Sequence, residues 1–435
     1  MNSIASEVIR RDILAPATRP TPPWYRRLLP FLGPGYVVAV GYMDPGNWAT
    51  ALAAGSGFGY ALLSVVLLAS LMAMLLQAAA VRLGLASGMD LAQACRRHFG
   101  PGTNIVLWVA CEMAIIACNL AEVLGMACGL QLLFRIPLSI GVCLTALDVL
   151  LILGLQSKGV RRLEAFIVSS TAIIAGSFAI ELWWLQPSPA AIAAGFVPTP
   201  GIVTDRDMLY LAVGIIGATV MPHNLYLHSS IVQSHSDPSH RRVTSQSIRY
   251  ATVDSNIALG LALMVNAGIL VLAAGAFHRS GGHAISSLAD AYQLLSPVLG
   301  VGAASTVFGI GLIASGLSSS VTGTLAGQIV MEGFLDLHVS RGVRAALTRS
   351  LALLPAAAAV YWLGEAGVGK LLILSQVILG LQLPFAVVPL LWFTTRRKYL
   401  GPHVFRGVSR VLLWGTATLV TLVNLWVLYQ ISHRP

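Results

Sequence analysis

GPGYVVAVGYMDPGNWATALAAG, residues 33–55, is apolar enough to cross a membrane, yet it carries Asp44-Pro45-Gly46-Asn47 at its centre. A proline inside a helix removes one backbone hydrogen bond and clashes with the carbonyl four residues back. In hydrocarbon a freed carbonyl is tolerated only where something else satisfies it. A second stretch, LAVGIIGATVMPHNLYLHSSIV at 211–232, repeats the device with Met221-Pro222-His223-Asn224. Pro45 is expected to free the carbonyl of Gly41, and Pro222 that of Ala218. Either proline alone would be an ordinary kink. Two of them, 177 residues apart and each flanked by polar residues, match paired interrupted helices. In membrane transporters such pairs mark the substrate site.

The surrounding sequence supports a membrane setting. Of 435 residues 56% are hydrophobic and only 10% charged, against about 25% charged in soluble domains, and the mean hydropathy is +0.78. Taking roughly 20 apolar residues per span, eleven spans are expected near 31–56, 60–85, 104–130, 136–156, 163–185, 208–233, 250–276, 299–325, 347–363, 370–394 and 411–431. The expected class is therefore an all-α integral membrane protein. Interrupted helices 1 and 6 each open a set of five spans, which makes a five-plus-five inverted repeat. Residues 1–30 read as a cytoplasmic tail and 31–431 as one transporter domain, with repeat one at 31–185, repeat two at 208–394 and an extra helix at 411–431.

Of the 27 lysines and arginines, 22 fall in the tail and the even-numbered gaps. By the positive-inside rule this puts the N-terminus in the cytoplasm and the C-terminus outside, in a cell (inner or plasma) membrane. The net charge of +10 is spread over these short loops, which argues against nucleic acid as a partner. The five cysteines form no CxxC pair and read as apolar fillers.

A carboxylate at the bilayer centre costs about 3 kcal/mol on insertion scales, so Asp44 is a functional candidate. With it stand the Asn47 amide oxygen, the Ala218 carbonyl and the Met221 thioether. Hard cations such as Ca²⁺ and Mg²⁺ take only oxygen ligands. A sulfur ligand biases the set toward Mn²⁺, Fe²⁺ and later divalent metals. Further ionisable residues inside spans suggest proton movement. Glu112, Asn119 and Glu122 share one side of the third span, and His223 and His228 lie on the sixth. Histidine is the usual proton carrier near neutral pH. Asp44, Glu122 and His223 are the first candidates for the proton pathway, with Glu112 and His228 behind them. Asp148, Asp254 and Arg349 read as structural.

The motifs GYMDPGNWAT at 41–50, MPHNLYLHSS at 221–230, TGTLAGQIVMEGF at 322–334 and SQVILGLQLPFA at 375–386 resemble the Nramp (natural resistance-associated macrophage protein) family, and within it the bacterial proton-dependent manganese transporters. The resemblance covers about residues 30–430. It implies a leucine-transporter-like fold working by alternating access, with Mn²⁺ or Fe²⁺ and protons as transported substrates and no resident cofactor. It also implies metal coordination by Asp44, Asn47, Met221 and the Ala218 carbonyl, joined by Gln376 in an occluded state. Two departures stand out. Asn119 occupies a place where the family usually carries an aspartate beside the glutamate matched by Glu122. The family's GQSST-like stretch reads Gly316-Leu317-Ser318-Ser319-Ser320.

Competing readings are a transporter of amino acids or other organic solutes, a Mg²⁺ variant, and a metal sensor or uncoupled channel. Met221 opposes the second, and short loops with no appended signalling domain oppose the third. No nucleophile elbow, phosphate loop or HExxH motif points to an enzyme.

Overall fold

The computed structural model describes residues 33–157, 160–235, 245–278, 285, 287–336 and 340–433. The expected tail over 1–30 lies outside these residues. Those described are helical throughout, with no strand. The chain runs α1 (Pro34–Gly41), α2 (Pro45–Phe58), α3 (Leu63–Ser87), α4 (Leu91–His98), α5 (Pro101–Phe134), α6 (Leu138–Thr145), α7 (Asp148–Ser157) and α8 (Val160–Leu185). It continues through α9 (Arg206–Val220), α10 (Pro222–Ile231), α11 (Ser245–Ala273), α12 (Leu288–Leu299), α13 (Ala304–Leu335), α14 (Arg341–Thr394) and α15 (Val408–Ser432).

Ten helical stretches among the described residues are long and apolar enough to cross a membrane. The first expected span is not among them, because it is divided into α1 and α2, of 8 and 14 residues. Together these halves supply the eleventh crossing. The expected boundaries hold to within several residues, except that the eighth span runs to Leu335 instead of 325. Its later turns, GTLAGQIVMEGF, are as apolar as the earlier ones, and nothing in the sequence stops the helix before Asp336 takes a left-handed φ of 56°. The ninth and tenth spans form one continuous element broken at Gly364, whose φ of 61° and ψ of −167° suit a residue without a β-carbon.

The fold is the inverted-repeat helical bundle expected from the two interruptions. The broken pair α1–α2 packs against α11, and the broken pair α9–α10 against α14 and α3. Small residues allow the closest approaches, as in other membrane helix interfaces. A β-carbon on Gly217 of α9 would overlap backbone atoms of Gln376 and Gly380 on α14. Lipid-facing helices are less enclosed: only 33% of the membrane window of α15 is buried, against 89% for α9–α10. None of the five cysteines is in a disulfide, and four of them are buried.

Adding side-chain atoms at the α9–α14 crossing should cost about 1–3 kcal/mol or more. Gly217→Val is therefore expected to cut the yield of monodisperse protein in size-exclusion chromatography. Gly260→Val, where a β-carbon meets nothing within 4 Å, should behave as the parent. Equal yields would show that α9 and α14 are not this close.

Candidate functional site at the two helix breaks

The first break is built by Asp44. Its carboxylate caps α2, accepting the backbone N–H of Asn47 at 2.9 Å and of Gly46 at 3.2 Å. An anion at a helix N-terminus is favoured by the unpaired N–H groups and the helix dipole, so the start of α2 compensates the charge that the membrane penalises. Pro45, at the first helical position where no N–H is needed, packs on Gly125 of α5. The second break is at Met221, which holds φ 41° and ψ 94°. Such a conformation costs a non-glycine residue about 1–3 kcal/mol. Its N–H reaches the Gly217 carbonyl at 3.1 Å, and its own carbonyl accepts from Asn224 N–H at 3.0 Å.

Asn47 joins the two breaks. Its side-chain Nδ2 donates to Asp44 Oδ1 at 2.6 Å and to the Ala218 carbonyl at 2.9 Å. The Ala218 carbonyl is the one that Pro222 cannot serve. The corresponding Gly41 carbonyl is not left bare, because the Asp44 N–H reaches it at 3.3 Å. Gln376 lies beside the first break: a β-carbon on Gly46 would collide with its amide. The Met221 sulfur accepts from Asn224 Nδ2 at 3.3 Å, and its side chain belongs to one buried apolar cluster with Ala114, Ala117 and Cys118 of α5 and Leu379 of α14. Asp44, Ala218, Met221 and Gln376 are all 0% exposed, and Asn47 is 3% exposed. The five candidate ligands are thus enclosed in the protein. On one side Trp48 packs edge-on against Phe178 and Phe308, with ring centroids 4.6 and 5.2 Å away.

The other titratable candidates separate into groups. Both ring nitrogens of His223, two residues past Met221, lack hydrogen-bond partners among the described residues. His228 Nδ1 donates to Gln77 Oε1 at 2.8 Å, Gln77 Nε2 to the Tyr42 hydroxyl at 2.5 Å, and that hydroxyl to the Val220 carbonyl at 3.3 Å. A continuous polar chain therefore leads from His228 back to the second break. Asn119 and Glu122 face α13 together: a β-carbon on Gly323 would lie 2.6 Å from Asn119 Oδ1 and 3.0 Å from Glu122 Oε1. Glu112 is ten residues earlier on α5, about 15 Å along the axis. It is not brought to this cluster, and its Oε2 has no hydrogen-bond partner among the described residues.

Sequence reasoning missed two contributors. Asn266 of α11 donates to the Tyr42 carbonyl at 2.8 Å and lies 3.5 Å from Asn47 Oδ1. Gln77 of α3 carries the polar chain. Each is a lone amide in an apolar span, and that was the available signal. Arg349, read above as structural, is buried at 2% exposure. It forms an ion pair with Asp148, which also accepts from Ser320 at 2.5 Å, and it lies 3.6 Å from Glu122. Asp254, read as structural, accepts from Gly35 N–H at 2.7 Å and so ties the start of α1 to α11.

A bundle of membrane-spanning helices enclosing polar groups at two facing helix breaks defines a transporter-type fold. The comparisons name the family. The model of the Natural resistance-associated macrophage protein-like (Nramp) family matches residues 35–430, and the chain belongs to that family. It is 53% identical over 405 residues, 93% of this chain and 90% of the relative, to the "Divalent metal cation transporter MntH" of Bradyrhizobium diazoefficiens. It is similar, with a TM-score of 0.84, 36% identity and coverage of 93% and 87% of the two chains, to the crystal structure of the Eremococcus coleocola manganese transporter bound to an aromatic bis-isothiourea compound. A structure of MhsT with L-phenylalanine, at 16% identity and a TM-score of 0.62 over 91% of this chain and 97% of that one, shares the fold alone. The chain is accordingly a multi-pass membrane protein of a transporter family, not an enzyme.

Removing one member of a buried ion-pair cluster leaves uncompensated charge, at about 3–5 kcal/mol. Arg349→Met should therefore lower the thermal unfolding midpoint markedly. The triple change with Glu122→Gln and Asp148→Asn should recover most of it. A single variant that melts with the parent would rule out the pairing.

Proposed function

We propose that this protein imports divalent transition-metal ions, Mn²⁺ and Fe²⁺, together with protons, by alternating access. The metal is held by the Asp44 carboxylate, the Asn47 amide oxygen, the Ala218 carbonyl and the Met221 sulfur, with Gln376 joining when the site is closed. The observation that carries this reading is the Asn47 amide, whose nitrogen sits within 2.6 and 2.9 Å of Asp44 Oδ1 and the Ala218 carbonyl. Two oxygens from opposite breaks already converge on one small group. Turning that amide over would present Oδ1 to a cation in its place. The similar proteins described above, a divalent metal cation transporter and a manganese transporter, agree with a metal cargo.

The donor set suits a passenger rather than a resident ion. One carboxylate with neutral oxygens and a thioether binds a borderline dication and still releases it, as conduction and transport require. Residues 31–185 and 208–394 form the two repeats, which rock against each other around this site. The protein sits in the cell membrane with its N-terminus in the cytoplasm. Protons move on Asp44, Glu122 and His223. His228 is linked to the break through Gln77 and Tyr42, and Glu112 lies further out on α5.

Uptake by the purified protein in liposomes, across a panel of divalent ions with and without a pH gradient, tests the reading. Asp44→Asn should abolish Mn²⁺ uptake, and retained uptake would refute its ligand role. Met221→Ala should keep partial Mn²⁺ uptake while admitting Ca²⁺ or Mg²⁺; unchanged selectivity would defeat the soft-ligand argument. Asn119 cannot titrate, so Asn119→Asp should raise internal acidification per metal ion moved. An unchanged ratio would remove Asn119 from the coupling path.

A further inference from the structure

A cavity of about 670 Å³ lies between α9, the second half of α14 and α15, away from the helix breaks. Its wall includes Arg206, Asp207, Lys370, Ile373, Val427 and Gln430. Arg206 opens α9, Lys370 lies just after the Gly364 break, and Gln430 is near the end of α15. Three helix ends therefore meet at one face of the bundle. Only five of the 27 basic residues belong to that face by the span alternation, and the fold brings two of them, 164 positions apart, to one cavity. Arg206 Nε donates to Gln430 Oε1 at 3.0 Å, which fixes the guanidinium at the wall and leaves its terminal nitrogens outside that bond.

The depth of this cavity in the membrane is marked by aromatic residues. Tryptophan and tyrosine collect where hydrocarbon meets headgroups. The odd-numbered spans all finish at this face, and three of them end in exposed aromatics. These are Trp183 on α8 at 77% exposure, Tyr361 and Trp362 before the Gly364 break at 84% and 78%, and Trp426 and Tyr429 on α15 at 44% and 51%. Trp426 and Tyr429 are stacked, with ring centroids 5.6 Å apart, one position short of Gln430. The charged rim thus lies at headgroup level, and the apolar wall formed by Ile373 and Val427 continues toward the hydrocarbon.

We infer that this cavity binds a monoanionic phospholipid of the phosphatidylglycerol class. Two cations less the Asp207 carboxylate leave one net positive charge, which matches a single phosphodiester. Asp207 and the Gln430 amide supply polar groups for headgroup hydroxyls. A basic pocket between membrane helices with an apolar floor recognises an anionic lipid by both ends, and the volume is that of an ordinary ligand site.

The test is native mass spectrometry and thermal unfolding of the full-length protein in neutral detergent, with phosphatidylglycerol, phosphatidylcholine or glycerophosphoglycerol (the same headgroup without acyl chains) added. The parent should retain phosphatidylglycerol several-fold more than phosphatidylcholine and melt higher with it. The double change Arg206→Gln, Lys370→Gln should bring retention down to the phosphatidylcholine level, and Arg206→Lys, Lys370→Arg should keep most of it. On the parent protein itself, raising salt should weaken phosphatidylglycerol retention selectively, a readout independent of whether the variants fold. Equal retention of the two lipids, unchanged retention in the double glutamine variant, or salt-insensitive retention would overturn the proposal. Protection by glycerophosphoglycerol equal to that by the lipid would make this a phosphate-ester site and overturn it too. None of these readouts depends on which ion is transported.

Discussion

Every backbone polar group inside a bilayer must find a partner within the protein. A chain that interrupts two of its helices at mid-membrane takes on that obligation twice. The structure meets it with groups from the opposite break and from α11. Asn47 covers the Ala218 carbonyl left open by Pro222, the Tyr42 hydroxyl covers the Val220 carbonyl, and Asn266 covers the Tyr42 carbonyl. Neither break is complete alone. The two halves of the bundle are therefore locked in register by hydrogen bonds that are also the most polar features of its interior. An unsatisfied buried amide or carbonyl costs about 1–3 kcal/mol, so the closure of the site and the stability of the fold rest on the same few atoms.

Charge is handled by the same economy. Asp44 lies on the N-terminus of α2, where N–H groups and helix dipole partly offset its burial. Glu122 and Asp148 share Arg349, with Ser320 completing the shell of Asp148. The sharing is unequal. Asp148 takes direct hydrogen bonds, whereas Glu122 is 3.6 Å from the guanidinium and 3.7 Å from the Cys118 thiol. Asn119 beside it has no hydrogen-bond partner among the described residues on either side-chain atom. Glu122 is thus the member of the cluster with room to change its partners, which fits the proposed proton role better than a fixed structural pair would. Asp148 is the anchor.

The breaks were readable from sequence because their cause is local: a proline, its neighbours and the carbonyl four residues back all lie within one motif. The span count was readable because hydropathy is summed over many residues and tolerates local error. Single contacts between distant segments were not. Arg349 and Asp148 each read as structural, but nothing local in the sequence pairs them across 201 residues. Gln77 and Asn266 look like isolated polar substitutions until Tyr42, at the end of α1, is placed beside both. Even the Gly41 carbonyl, expected to be open by strict analogy with Ala218, is closed by the turn at Asp44. A missing proline-side bond predicts which carbonyl needs a partner, but not whether the next N–H bends back to supply it.

Met221 shows where the two breaks differ. The first break turns through Asp44, whose extended backbone, φ −66° and ψ 163°, is available to any residue and whose side chain caps the helix that follows. The second turns through a methionine held at φ 41°, with no side-chain cap on α10. A glycine there would relieve the strain and an asparagine would tolerate it better, yet neither would place a sulfur between α5 and α14. A strained conformation persists only where its surroundings over-determine it. Here they include Gly217, Asn224 and the small residues of α5 at Ala114 and Ala117. The second break is thus the less relaxed hinge. If the proposed ion adds a bond to that sulfur, the free energy of binding would act at the point where the fold already resists its own geometry, which is where a modest contact can shift two arrangements of the bundle.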